Sequence, residues 1–455
     1  MANPLATLAS ELYNKYEEKL IVNPDLSRKL VSFQANKKLP FYSWYKYKEG
    51  FAKPLVDYCL DDSNSSAMVL DPFAGSGAAL FAANQRGISA TGIELLPSGI
   101  FPIQCRVDAQ KVDSEVFSSL VKNVLSIPSY SIYKTTDFKH IRITKDAFSK
   151  QTEQELMGYT GYIESLDVDE HCKNLLKFGA ISVLEQISYT RKDGQFLRWD
   201  GRSGRKSKFN KGHIPTFKEA ITAKLNQFSK DILEANKNGI ADINLLQGSC
   251  LEKLFEINED SIGTIITSPP YCNRLDYTRT YPLELVYLGS NSEDVKRLRQ
   301  TMLSCTVENT SKVEALEGFY TDKKSSDSFE RSVEIFESQE VLSSILSSLE
   351  EVKEQLPNKS IIRMIRNYFF EMNLVISHCY RVLEPGGKMY MVNDNVQYTG
   401  IEVPVDLILS DFASKYGFGI EKIWVLPRGK GNASQQMGIH GRKEIRKCVY
   451  VWKKQ

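Results

Sequence analysis

The run at 66–94, "SAMVLDPFAGSGAALFAANQRGISATGIE", restricts the fold more than any other part of the chain. An apolar stretch ends at Val69 and Leu70, Gly75-Ser76-Gly77 follows, and a helix-favouring segment runs from Ala78 to Gln85. A second apolar stretch, Ala90 to Ile93, closes on Glu94. Strand, glycine turn, helix and strand at this spacing make a βαβ unit, which requires parallel strands with helices on the faces of the sheet. The predicted class is α/β, a Rossmann-like doubly wound sheet. In such sheets ligands bind beyond the carboxyl ends of the strands, where the strand order reverses. Gly75 and Gly77 allow the backbone to approach a ligand closely, with helix N-terminal N–H groups facing it. Glu94, at the end of the second strand, is placed to accept hydrogen bonds from a ribose diol. A lone GxG also occurs in packed loops, and a strand-end acid also occurs in solvent, so a second signal is needed.

That signal is "TIITSPPYCNRLDY", 264–277. Its β-branched start suits a buried strand, which Ser268-Pro269-Pro270-Tyr271 must stop because two prolines donate no N–H to a ladder. The turn is rigid and holds the carbonyls of Ser268 and Pro269 outward. With the Ser268 hydroxyl, they can hold the two hydrogens of an exocyclic amino group, while Tyr271 stacks on a planar base. An aromatic amine is a poor nucleophile, and fixing both N–H bonds aims its lone pair, so orientation does much of the chemistry. The bland alternative is a proline-rich strand end with a buried tyrosine.

Two β–α steps from Glu94 to this strand should take roughly 60 residues at ~30 each. The chain spends far more, so an insertion is expected. The predicted division is a first core segment at 1–107 carrying the glycine turn, an inserted region at 108–237, and a second core segment at 238–455. Within the last, a polar, Ser/Glu-rich helical departure is expected at about 290–359. "EKIWVLPRG" and "KCVYVWKK" read as a closing antiparallel pair with Trp424 and Trp452 on opposite arms.

Composition sets outer bounds. The chain of 455 residues carries 58 basic and 56 acidic side chains, a net of +2, so nucleic-acid affinity must come from local patches. No apolar run approaches the ~18 residues of a membrane span. The eight cysteines are scattered without a CxxC pair, and the five histidines show no HExxH spacing. These features lead to an expectation of reduced thiols, a cytoplasmic protein and no metal.

"DPFAGSG" (71–77) and "TSPPY" (267–271) together resemble the cofactor and catalytic loops of the S-adenosylmethionine-dependent DNA amino-methyltransferases. Further blocks look like that family: "FYSWYKYKEGFAKPLV" (41–56) is similar to the region holding the methionine end of the cofactor. "INLLQGSCLEKL" (243–254) is similar to the adenine-contacting segment, although Gly248-Ser249 stands where the family often has Gly-Asp. "RVLEPGGKMYMVND" (381–394) is similar to its fifth strand. The resemblance implies S-adenosylmethionine binding by Asp71, Phe73, Ala74, Gly75, Gly77 and Glu94, with Ser249 and Cys250 near the adenine. It implies catalysis by Ser268, Pro269, Pro270 and Tyr271 on a base flipped out of double-stranded DNA. The Ser form of the loop is mostly associated with cytosine N4. The motif order, cofactor loop before insertion and catalytic loop, is more usual for adenine N6. Loop chemistry is given the greater weight because it touches the target atom. A carbon-5 enzyme would need a nucleophilic cysteine after a proline, and the chain has no Pro-Cys dipeptide.

The insertion is the expected target-recognition region. At 191–211 it holds Arg191, Lys192, Arg198, Arg202, Arg205, Lys206, Lys208 and Lys211 against Asp193 and Asp200, with Phe196, Trp199 and Phe209 interleaved. This pattern suits phosphate contact and groove insertion, with Arg198 or Arg202 reading guanine edges. A second basic glycine loop, 427–443, is expected to close over the substrate. Such an enzyme would be the modification half of a restriction or defence system, with a cognate restriction endonuclease as counterpart. Competing readings are an RNA or protein nitrogen methyltransferase and a catalytically silent DNA-binding subunit.

Overall fold

The computed structural model describes residues 4–63, 65–133, 137–193, 196–235, 241–427 and 445–455. Its central sheet has eight strands: β1 (Leu20–Val22), β2 (Val69–Asp71), β3 (Ala90–Glu94), β4 (Ile243–Gln247), β5 (Ile262–Thr267), β6 (Leu383–Asp394), β7 (Phe418–Val425) and β8 (Lys447–Lys454). They lie in the order β1-β7-β8-β6-β5-β2-β3-β4. Every neighbouring pair is parallel except the two made by β8. This is the α/β, Rossmann-like doubly wound sheet expected from the sequence.

Successive side chains of the central strands alternate between two faces, both of them buried. Val69, Ile266, Tyr390, Val392, Val449 and Val451 pack on one face with the helices Lys53–Ser63 and Ala78–Asn84. Leu70, Ile265, Met389, Met391, Tyr450 and Trp452 pack on the other with the helices Ile361–Val382 and Val405–Tyr416. A strand apolar on both faces belongs inside such a sheet, between two helical layers. Trp424 and Trp452 fall on opposite faces, on the antiparallel strands β7 and β8. The Pro385-Gly386-Gly387 segment is accommodated by a register shift, since Ile262 pairs Leu383 while Thr264 pairs Lys388.

From β2 the chain steps outward through β3 to β4, then returns to lay β5 on the other side of β2. The strand order therefore reverses between β2 and β5. The glycine turn leaves one of these strands and the Ser-Pro-Pro-Tyr turn leaves the other, so the two motifs meet at the ligand-binding crevice of the fold.

The extra region between β3 and β4 contains the helices Ser114–Ser126, Lys150–Ser165, Glu170–Ile187 and Phe217–Leu233 and a ribbon of Thr190–Asp193 against Phe196–Trp199. Asp113, Ser149, Asp169 and Thr216 cap the four helices through their side chains. The helix Pro97–Lys111, which leads into the region, runs through residue 108. The region has its own apolar core, which it shares with Trp44, Tyr45, Tyr47, Tyr277 and Tyr281. It is thereby seated against the rim of the crevice. Between β5 and β6 lies the helical stretch containing Ser292–Thr301, Val313–Asp322, Ser326–Glu337 and Glu340–Glu351. Among the described residues no helix is long and apolar enough to cross a membrane.

Candidate active site

Beyond the ends of β2 and β5 lies a cleft enclosing about 760 Å³, including its solvent-open mouth. Asp71, Phe73, Ala74, Gly75, Glu94, Ser249 and Cys250 all line it, as do Ser268 and Pro270 of the second turn. Gly77 does not line it; it forms the N-cap of the helix Ala78–Asn84 at φ 82°. A Cβ there would sit 2.9 Å from Ile103 Cγ1, so Gly77 is required by packing and backbone conformation. Gly75 has φ 55°, and its missing Cβ would lie 2.9 Å from the Tyr47 ring, which covers the turn.

The Glu94 carboxylate is held by three backbone donors. Gly75 N–H donates to Oε2 at 2.7 Å, and Leu95 and Leu96 N–H donate to Oε1 at 2.9 and 2.8 Å. Burial nevertheless pushes its pKa up to about 7, with the nearby Asp71 adding to the shift. Burial likewise raises Asp71 to about 7, against the hydrogen bonds it accepts from Thr267 and the Phe73 N–H. The Thr267 hydroxyl, the last residue of β5, donates to Asp71 Oδ1, the last residue of β2, at 2.6 Å. This buried bond ties the glycine turn to the Ser-Pro-Pro-Tyr turn. Arg106 adds a second tie: it donates to the carbonyls of Ser76 and Phe41, bracing the turn against the 41–47 segment.

On the Ser-Pro-Pro-Tyr turn Pro269 is buried, while Ser268, Pro270 and Tyr271 are half-buried. The Ser268 hydroxyl stands 3.4 Å from the Tyr271 hydroxyl. Tyr398 donates its hydroxyl to the Cys272 carbonyl at 2.7 Å, anchoring the loop from β6's continuation. Arg274 takes a left-handed φ of 68° as the chain leaves this site. Cys272 is fully buried, and burial pushes its thiol well above its ordinary pKa. A protonated, buried thiol is no nucleophile.

The basic loop divides by role. Arg202 donates to both oxygens of buried Asp200, at 2.8 and 2.7 Å, and to the Gly212 carbonyl at 3.0 Å. Arg205 lies 3.8 Å over the half-buried Trp199 ring and donates to the Lys145 carbonyl at 2.8 Å. Lys211 donates to the carbonyls of Ser188 and Thr190 at 3.0 and 2.9 Å, and burial lowers its pKa to about 8. These three therefore hold the loop's own shape. Arg198, Lys206 and Lys208 are exposed, the two lysines alternating with inward Ser207 and Phe209. The side chain of Phe196 and nearly all of the 427–443 loop lie outside the described residues.

The 41–56 segment supplies Tyr47, Glu49, Gly50 and Phe51 to the cleft lining, places that no local sequence pattern marks. Glu49 lines the cleft half-buried and accepts the Tyr281 hydroxyl; its pKa is raised by burial. Tyr281 stacks on Tyr47 at 4.9 Å and 12°. Lys192 sits 4.1 Å over the Tyr281 ring and pairs with Glu284 at 2.5 Å. The 190–199 ribbon thus reaches the wall of the cleft through a buried ion pair and two tyrosines.

A doubly wound sheet whose reversal point joins a glycine turn, a strand-end glutamate and a Ser-Pro-Pro-Tyr turn defines an α/β methyltransferase. No family model matches the chain. It is 45% identical over 458 residues to the proteins named Type II methyltransferase M.AvaI of Nostoc sp. and of Anabaena variabilis, covering 97% of this chain and 92% of theirs. To the Type II methyltransferase M.BsoBI of Geobacillus stearothermophilus it is 37% identical over 451 residues, 94% of this chain and 88% of that one. The chain belongs to the type II methyltransferase family.

Proposed function

We propose that the protein is a site-specific DNA methyltransferase that methylates the N4 amino nitrogen of a cytosine flipped out of the duplex. The observation that carries this reading is the Thr267–Asp71 hydrogen bond, which fixes the Ser268–Tyr271 turn to the wall of the cofactor cleft. Family membership implies S-adenosylmethionine as donor, and the cleft fits it. Gly75 lines the cleft with backbone under the Tyr47 ring, and Asp71, Glu94 and Glu49 give an acidic lining suited to a cationic ligand. When bound, S-adenosylmethionine supplies an electrophilic methyl group.

The chain's own residues do the rest. Glu94 is the acceptor for the ribose hydroxyls, and Gly248 to Cys250 flank the adenine. The Ser268 hydroxyl and the turn's carbonyls hold the amino hydrogens, so that the nitrogen lone pair faces the cleft. The amine becomes acidic as it is alkylated, and its proton leaves to Ser268, a carbonyl or water. Tyr271 carries the base on its ring face. Arg198, Lys206 and Lys208 supply the outward-facing contacts to DNA. As a family member, the enzyme would protect sites cut by a cognate endonuclease. Adenine N6 is the second reading, favoured by the order of the motifs around the extra region.

Transfer of labelled methyl groups from S-adenosylmethionine to unmodified duplex DNA, RNA and protein in parallel tests this function. Label in DNA alone supports it. Label in RNA or protein, or no label with cofactor bound, overturns it in favour of another substrate or a silent subunit.

A further inference from the structure

Asp394 ends β6 and Lys447 begins β8, and the two face each other across the antiparallel ladder. Because Thr267 of β5 pairs Met391 of β6, Asp394 stands level with the Ser268–Tyr271 turn. Lys447 Nζ lies 3.1 Å from Asp394 Oδ2 and 5.5 Å from the centre of the Tyr271 ring. Their side chains are only 19% and 26% exposed, too little for an ordinary solvated pair. Asp394 Oδ1 is buried and accepts no hydrogen bond among the described residues. A pair serving only to close the sheet would be expected to satisfy both oxygens. The arrangement instead leaves a half-buried ammonium, held by one carboxylate oxygen, over the face of the Tyr271 ring on which the base is proposed to stack.

We propose that Lys447 reads the acceptor edge of the flipped cytosine and that Asp394 positions it. This rests on the proposed seating of cytosine on Tyr271. An ammonium only donates, and cytosine offers two neighbouring acceptors, N3 and O2, beside its amino group. Adenine offers one acceptor, N1, beside its own amino group. A fixed ammonium at the edge of the base therefore favours cytosine by leaving none of its donors facing a C–H. Lys447 is a specificity-determining residue and Asp394 a positioning residue.

The test compares duplexes that carry cytosine or 3-deazacytosine, in which N3 is replaced by C–H, at the mapped target position. Single-turnover methylation and equilibrium DNA binding are measured for the wild type, Lys447→Met, Lys447→Gln and Asp394→Asn. Cofactor affinity is expected to be unchanged in all three variants, which also verifies their folding. The wild type is expected to lose about tenfold or more in rate on the 3-deaza duplex, the size of one buried polar contact. Lys447→Met and Lys447→Gln should lose a similar factor on cytosine and suffer little further loss on 3-deazacytosine. Asp394→Asn should fall between, with its loss mainly in DNA affinity rather than in the single-turnover rate. The same 3-deaza penalty in the Lys447 variants as in the wild type overturns the inference while leaving N4-methylcytosine formation, and so the proposed function, intact. N6-methyladenine as product overturns the cytosine reading and this inference with it.

Discussion

Asp71 and Glu94 are acids that burial holds partly protonated near neutrality, each at about 7. A carboxyl whose folded pKa lies above its unfolded value binds more protons folded than unfolded between the two, so its contribution to stability falls as pH rises through that window. In thermal unfolding of the cofactor-free protein, Asp71→Asn should therefore gain in stability relative to the wild type as pH rises between about 4 and 7. S-adenosylmethionine, a cation at its sulfonium, should bind more tightly as the two carboxyls ionise. Calorimetric titration across the same range should show affinity rising with pH and proton release on binding. The stacking proposed for Tyr271 uses its ring face. Tyr271→Ala should weaken binding of the flipped base by about 1–3 kcal/mol, and Tyr271→Phe should weaken it little, as read by DNA affinity. Cys272→Ala should keep methyl transfer, because direct transfer to nitrogen needs no thiolate. Gly75 and Glu94 were legible in sequence because their spacing within one βαβ unit fixes where they go. Glu49 was not, since its place depends on Tyr281, which is distant in the chain and meets it only in the folded protein.

At the scale of elements, the basic loop shows how charge in a sequence overstates charge available to a ligand. Reading 191–211 as one patch treats its cations alike, whereas Asp200, the carbonyls of Ser188 and Thr190, and Glu284 engage Arg202, Lys211 and Lys192. Lys206→Ala and Lys208→Ala should each weaken DNA binding uniformly across sequences and reduce its salt dependence by about one unit of slope. Arg202→Ala should instead loosen the loop, lowering sequence-specific methylation through lost structure. Comparison of salt slopes with thermal stability separates the two effects. The Lys192–Glu284 pair is only 3% and 2% exposed, and removing one partner leaves the other charged and desolvated. Lys192→Ala should therefore destabilise the protein by about 3–5 kcal/mol in denaturant unfolding. The ribbon's tie to Tyr281 and the cleft wall lies outside any local pattern, because it joins residues far apart in sequence through burial alone.

For the whole molecule, the local units were readable and their seating was not. β2, β3, β7 and β8 follow from apolar runs bounded by turn residues, and the reversal between β2 and β5 follows from two strands that each end in a ligand-facing turn. The position of the extra region against Trp44, Tyr45 and Tyr277 depends on a core assembled from three separate stretches of chain, which no periodicity announces. That seating brings the ribbon, the cleft and the Ser268–Tyr271 turn to one rim, which we propose directs a methyl group to the N4 amino nitrogen of cytosine. Mass spectrometry of nucleosides from duplex DNA methylated by the purified protein is the decisive measurement. N4-methylcytosine is the expected new nucleoside; N6-methyladenine would overturn the choice of base, and 5-methylcytosine the direct transfer proposed for the Ser268–Tyr271 turn.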